Sequence, residues 1–280
     1  MATSPYVPSA IDRPPPPAIA LRNVVLSFDA KRVLRDVSFE VPRAGTLVLL
    51  GVSGSGKSVL LKLILGLLKP DSGEVRVEGE DLVPLHETEI NAFRQRMGIV
   101  FQEGALFDSL SVYENVSYRL REEGGHDEAE IREHVRQVLS FVDMEDAIDK
   151  MPAELSGGMR RRVAIARAIS SQPTIMLYDS PTAGLDPVTA HTINTLIVKS
   201  RDTQHVTSII VTHRIQDALM VSSFVFSPEK QGLVPAAAKN GDRAAGGTQF
   251  LVLRDGSVYF SGNREELLAS PDSYLRRFVE

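Results

Sequence analysis

The chain has 280 residues, with 31 Lys and Arg against 36 Asp and Glu for a formal net charge of -5, and no cysteine. That length suits one large α/β domain or two small ones, and the lack of cysteine excludes disulfides, thiolate chemistry and Cys-ligated zinc or iron–sulfur sites. The mild acidity gives no global pull toward nucleic acid, and none is expected as a partner.

Residues 1–18 hold Pro5, Pro8 and the run Pro14–Pro17. Proline removes backbone donors and fixes φ, so this stretch reads as a disordered or polyproline-II tail. It lacks the basic-then-apolar pattern of a secretory signal. Short β-rich runs are expected at Ala18–Val25 and Val33–Val41, and Thr46–Leu50 is the continuous apolar run of a strand buried on both faces. A glycine-rich turn then leads to the apolar helix pattern Val59–Leu68, which is broken by Lys62 and Gly66 and is too short to span a membrane. The turn Pro70–Gly73 precedes an alternating strand, Glu74–Val77.

Residues 87–97 and 127–142 read as amphipathic helices, with Ile131, Val135, Val138 and Leu139 at helical spacing and Gly124-Gly125 as the break between them. From Val163 an α/β rhythm returns: a helix to Ser170, a strand Thr174–Tyr178, a helix from about Pro187 and a strand Thr207–Thr212. Residues 227–248 are rich in Gly, Ala and Lys and read as a surface insertion. Phe250–Leu253 and Ser257–Phe260 form a hairpin across Asp255-Gly256, and 266–280 is a C-terminal helical tail. The layout is an α/β core over 19–265 interrupted by a helical insertion at about 87–155.

Gly51-Val52-Ser53-Gly54-Ser55-Gly56-Lys57-Ser58 matches the phosphate-loop pattern G-x-x-x-x-G-K-[ST]. Glycines let successive N–H groups turn inward on phosphate oxygens, Lys57 brings a cation to the β/γ-phosphates, and the Ser58 hydroxyl is placed for Mg²⁺. The helix that follows, opening with Val59, adds its positive N-terminal end. Ile175–Asp179 is a second apolar run ending in a carboxylate, the position from which an Asp holds Mg²⁺ beside such a loop. Leu155-Ser156-Gly157-Gly158 opens a helix through Ser170, where Ser156 serves as N-cap, as part of an anion site, or as both. Arg160, Arg161, Arg162 and Arg167 on that helix are expected to form a solvated or salt-bridged face.

Taken together, the phosphate loop, Gln102 in Val100-Phe101-Gln102, Leu155-Ser156-Gly157-Gly158, Asp179, Ala183-Gly184-Leu185-Asp186 and His213 follow the order and spacing of ABC-transporter ATPase subunits, which the chain resembles over about 19–265. The resemblance implies a P-loop NTPase fold of ABC ATPase type: a mixed-sheet α/β core, an antiparallel β subdomain and an inserted helical subdomain. It further implies a head-to-tail homodimer with two ATPs held between the phosphate loop of one copy and Ser156, Gly157 and Gly158 of the other. Phe28 would stack on adenine, Gln102 would reach Mg²⁺ and the attacking water, Asp186 would contact across the dimer, and His213 would sense the γ-phosphate.

Within that family, Phe101–Leu110 with Val112-Tyr113-Glu114-Asn115-Val116, and Met151–Met159, resemble the Mla/Mkl branch. Membership there implies lipid transport with an MlaE-like permease and MCE-domain proteins, the subunit sitting peripherally on the cytoplasmic face of the inner membrane. One position departs from the pattern. After Asp179 the family carries a catalytic Glu, and this chain has Ser180. A hydroxyl is no general base near neutral pH unless another group takes its proton, so slow hydrolysis, with Gln102 and His213 positioning water, is expected. An ATP-dependent clamp with little hydrolysis, or an ABC ATPase for another substrate, are the alternative readings.

Overall fold

The computed structural model describes residues 15–29, 31–236 and 247–279. The expectations for 1–14, for 237–246 and for Glu280 lie outside the described residues. In chain order, β1 (Ile19–Phe28) and β2 (Lys31–Val41) form an antiparallel pair, followed by β3 (Thr46–Gly51), α1 (Lys57–Ile64), β4 (Ser72–Val77), β5 (Glu80–Asp81) and α2 (Glu87–Arg94). Next come β6 (Met97–Val100), α3 (Val112–Glu123), α4 (Glu128–Phe141), α5 (Gly157–Ser170), β7 (Ile175–Asp179), α6 (Pro187–Gln204) and β8 (Thr207–Val211). The chain ends with α7 (Ile215–Ser223), β9 (Phe224–Ser227), β10 (Gly232–Pro235), β11 (Thr248–Arg254), β12 (Ser257–Gly262), α8 (Arg264–Ala269) and α9 (Ser273–Val279).

The central sheet has six strands in the order β12-β11-β3-β8-β7-β6, parallel from β11 to β6 with β12 antiparallel at one edge. A four-stranded sheet, β2-β1-β4-β5, is antiparallel throughout. Successive strand residues point to opposite faces, and both faces of the central sheet are covered. Thus Leu47 and Leu49 of β3 join a core shared with β1, β4 and α1, while Val48 and Leu50 pack with β11 and the C-terminal helices. Likewise Ile175 and Leu177 of β7 face the first core, and Met176 and Tyr178 face a third built from α3 to α6. Each fully buried Leu, Ile or Val contributes about 1.5–3 kcal/mol. Such double-sided burial is why these strands read as unbroken apolar runs rather than alternating ones.

The helical insertion expected over 87–155 is not one block. Met97–Val100 leaves it to become the edge strand β6, in register from Met97 against Ile175 to Val100 against Tyr178. The helix expected to reach residue 97 stops at Arg94. Gly98 explains the fit: a Cβ there would lie 2.3 Å from Met176 Sδ and 2.7 Å from the Ala168 carbonyl oxygen. Helix α3 was not anticipated. Ser111 caps it, accepting from Glu114 N while the Glu114 carboxylate accepts from Ser111 N, a reciprocal cap that is visible as Ser-x-x-Glu.

The stretch 227–248 is also only partly a surface insertion. Residues 232–235 pair with β9 as a hairpin, and Phe226 and Leu233 pack against the helical core. Over 264–279, α8 and α9 bury Leu267 and Leu275 with Phe250 and Val252 of β11, so this helical stretch packs as a layer of the core. The expected hairpin across Asp255-Gly256 is present, with both residues at positive φ (51° and 80°) as a tight two-residue turn requires.

Candidate functional site

Because β8 lies between β3 and β7, the C-terminal ends of these parallel strands bring three loops side by side. Ligands of open α/β sheets bind at that edge. The loop after β3 turns through Gly56 at φ 106° into α1. The positive φ favours glycine at Gly56, and a Cβ there would also press on the Leu34 side chain of β2, 2.7 Å from Cδ2. At Gly54 a Cβ would meet open space, so the loop's outer surface is free to receive a ligand.

The Lys57 Nζ folds back over this loop, donating to the Gly51 and Val52 carbonyl oxygens at 2.8 Å each, with Ser55 Oγ at 3.5 Å. Burial pushes its pKa below the usual lysine value, and the Asp179 carboxylate partly opposes that shift. Helix α1 begins without a side-chain cap and without an acidic residue in its first turn. Its N-terminal amides are therefore available to an anion.

A cleft of about 640 Å³ opens over this loop. Ser53, Gly54, Gly56, Lys57, Ser58 and Val59 line one side. Across from them stand Gln102 after β6, Asp179 and Ser180 at the end of β7, and His213 after β8. Phe28 and Val33 close the cleft from the antiparallel sheet, and Phe28 as a residue is 44% exposed. Ser180 sits at φ 50°, and its amide donates to the Val211 carbonyl at 2.9 Å. The turn after β7 is thereby tied to β8.

Other expected residues lie elsewhere. Ser156, Gly157, Gly158 and Asp186 do not line the cleft. Ser156 caps α5, its Oγ accepting from Met159 N at 3.3 Å. At Gly158 a Cβ would fall 2.5 Å from Thr189 Cγ2, so α5 and α6 meet closely there. Asp186 caps α6, accepting from Val188 N and Thr189 N at 3.0 Å each. Three of the four α5 arginines, Arg160, Arg161 and Arg167, correct the expectation of a solvated or salt-bridged face. Arg160 donates to the Leu155 carbonyl, buried Arg161 to Ala183, and Arg167 to Gly104 and Ala105. These cations pin neighbouring loops through backbone oxygens, and burial lowers the Arg161 and Arg167 pKa values. Sequence reasoning missed Val33 in the cleft, whose apolar side chain gives no chemical signal.

The family model for ABC transporters matches residues 34–183. The "probable ribonucleotide transport ATP-binding protein mkl" of Mycobacterium leprae is 36% identical over 94% of this chain and 68% of its own length. The "intermembrane phospholipid transport system ATP-binding protein MlaF" is 32% identical in Haemophilus influenzae, over 94% of this chain and 90% of that protein. Its Escherichia coli K12 counterpart is 30% identical, over 94% and 88%. A dimeric ATP-binding cassette solved in a post-hydrolysis state with ADP and Pi superposes with a TM-score of 0.73 at 29% identity, covering 88% of this chain and 98% of that one. Fold, cleft and relatives agree: this chain belongs to the ABC transporter family, as an ATPase subunit.

Proposed function

We propose that this ATPase subunit powers phospholipid movement in an MCE/Mla-type transporter, binding ATP with Mg²⁺ in the cleft over the phosphate loop. The observation that supports the site is the convergence of Lys57, Ser58, Gln102, Asp179, Ser180 and His213 on one cavity from four separate strand ends. The lipid reading leans on the two MlaF relatives, which are matched over 90% and 88% of their lengths. In this reading the chain sits peripherally on the cytoplasmic face of the inner membrane against an MlaE-like permease, with MCE-domain proteins as indirect partners. Among the described residues no helix is long and apolar enough to cross a membrane.

The residues fit the groups proposed. An uncapped helix N-terminus and a lysine ammonium suit a polyphosphate, and a hydroxyl and a carboxylate in the same cleft suit a hard divalent cation. Lys57 gives up the Gly51 and Val52 carbonyls to reach the β/γ-phosphates. The loop from Gly51 through Gly56 presents its amides to them, and the exposed Phe28 ring stacks on the base. Ser58 and Asp179 hold Mg²⁺, with Gln102 reaching toward it and the attacking water. When bound, the ion neutralises charge on the transferring phosphoryl group. His213 orients water and the γ-phosphate, and Ser180 leaves the position after Asp179 without a base. Phosphoryl transfer depends mostly on positioning and electrostatics, so hydrolysis continues at a reduced rate. A second copy docks head to tail and adds Ser156, Gly157, Gly158 and Asp186, the residues that a single chain leaves outside its own cleft.

The experiment is transfer of a fluorescent phospholipid in proteoliposomes holding the subunit and its permease. ATP-dependent transfer that Lys57→Ala abolishes is the expected outcome. ATP hydrolysis without lipid transfer would move the assignment to another substrate, and no hydrolysis at all would make the protein an ATP-dependent clamp.

A further inference from the structure

Asp217 lies in the first turn of α7, is 4% exposed, and does not line the cleft. Its Oδ2 accepts from Thr182 Oγ1 at 2.5 Å and from Thr212 Oγ1 at 3.3 Å, and its Oδ1 accepts from Asn194 Nδ2 at 2.7 Å. Arg214 Nε stands 3.8 Å from Oδ2. A carboxylate this buried is tolerated only when its lone pairs are matched by donors, and here the donors come from separate segments. Thr182 is two residues past Ser180. Thr212 and Arg214 flank His213, and Thr212 Oγ1 accepts from Arg214 N at 3.0 Å, closing the turn that carries the histidine. Asn194 belongs to α6. One buried anion thus bolts the Ser180 turn, the His213 turn, α6 and α7 together, through bonds that its charge shortens and strengthens.

We infer that Asp217 is a positioning residue for ATP hydrolysis, fixing the His213 turn against the Ser180 turn. The inference rests on the reading of the site given above, in which His213 faces the γ-phosphate. In a site with no carboxylate at position 180, hydrolysis depends on how well the remaining groups are placed, and a misplacement of about 1 Å costs about 10²-fold. Asp217 does not contact the phosphate loop or Phe28, which are held by β1, β3 and α1. Its loss therefore acts on turnover and leaves the grip on ATP unchanged.

Asp217→Asn is the first test. The Asn carbonyl still accepts from Asn194, and its amide donates to the Thr182 and Thr212 hydroxyl oxygens. The network stays satisfied while the charge is removed. Turnover and ATP affinity are measured together with the ¹³C ring resonance of His213, assigned by its disappearance in His213→Gln, in ADP and in a non-hydrolysable ATP analogue. The expected result is ATP affinity within about twofold of wild type, turnover down about tenfold, and loss of the shift that distinguishes ADP from the analogue. Wild-type turnover with a wild-type His213 response overturns the inference, as does a fall in affinity in step with turnover, which marks a purely structural role. A wild-type His213 signal indifferent to nucleotide refutes the reading of the site itself, and this inference with it. Should Asp217→Asn fail to fold, Thr182→Val, which removes one donor and keeps the others, is judged by the same outcomes.

Discussion

Replacing Ser180 with Glu restores a carboxylate where the cleft lacks a base, and the structure sets the size of the effect. Ser180 already occupies φ 50°. The cost of about 1–2 kcal/mol for an L-residue in the left-handed region falls equally on Ser and Glu and cancels. The amide bond to Val211 is unaffected by the side chain. The longer side chain extends into a cleft of about 640 Å³, so it meets space and not the core. A positioned base contributes about 10²–10⁴-fold, or roughly 3–5 kcal/mol of barrier. With Gln102 and His213 in the water-orienting roles proposed above, the low end applies, and Ser180→Glu should raise turnover about a hundredfold with little change in melting temperature. Steady-state phosphate release with the permease present is the assay. Turnover within twofold of wild type would refute the argument and show that another group already serves as base, in which case His213→Ala should stop the wild-type enzyme.

Ser156→Arg fills the space in front of the α5 N-terminus and should block ATP-driven dimerisation, read by sedimentation with and without Mg·ATP, while leaving the ATP affinity of the single chain intact. Gly98→Ala should destabilise the fold by about 1–3 kcal/mol in urea unfolding, because its Cβ meets Met176 Sδ at 2.3 Å and the Ala168 carbonyl at 2.7 Å. The lowered Lys57 pKa gives ATP binding an alkaline limit. The ammonium form holds phosphate and bound phosphate raises the pKa again, so affinity falls by about tenfold per pH unit between the free and bound values. Calorimetric titration from neutral pH upward should show the decline starting below the usual lysine range in wild type and absent in Lys57→Arg.

What was legible in the sequence was local chemistry. The phosphate loop, Asp179 and His213 each end or follow an apolar strand, and their convergence follows once β3, β8 and β7 are neighbours. Features set by distant contacts were not legible. Met97–Val100 is four residues long, too short to signal a strand, and becomes one only because β7 offers an unpaired edge. The arginines of α5 carry no mark that distinguishes a solvated guanidinium from one that donates to Gly104 or Ala183. Leu233 sits in a stretch of low apolar content and is half-buried against the helical core because its strand pairs with β9. Helix α3 is different: Ser111 and Glu114 stand at capping-box spacing, so its start is legible in the sequence alone. Asp217 had no local signature, since its partners are spread from Thr182 to Arg214.

The central claim is that the cleft over Gly51–Ser58 binds ATP through Lys57. It is tested most directly by isothermal titration of ATP into wild type and Lys57→Ala. The Lys57 partners within the chain are loop carbonyls, and alanine is the best helix former at the start of α1, so the variant should melt as the wild type does. Losing the phosphate cation should weaken ATP binding about a hundredfold, or ~2.7 kcal/mol. A folded Lys57→Ala that binds ATP as tightly as the wild type would contradict the account.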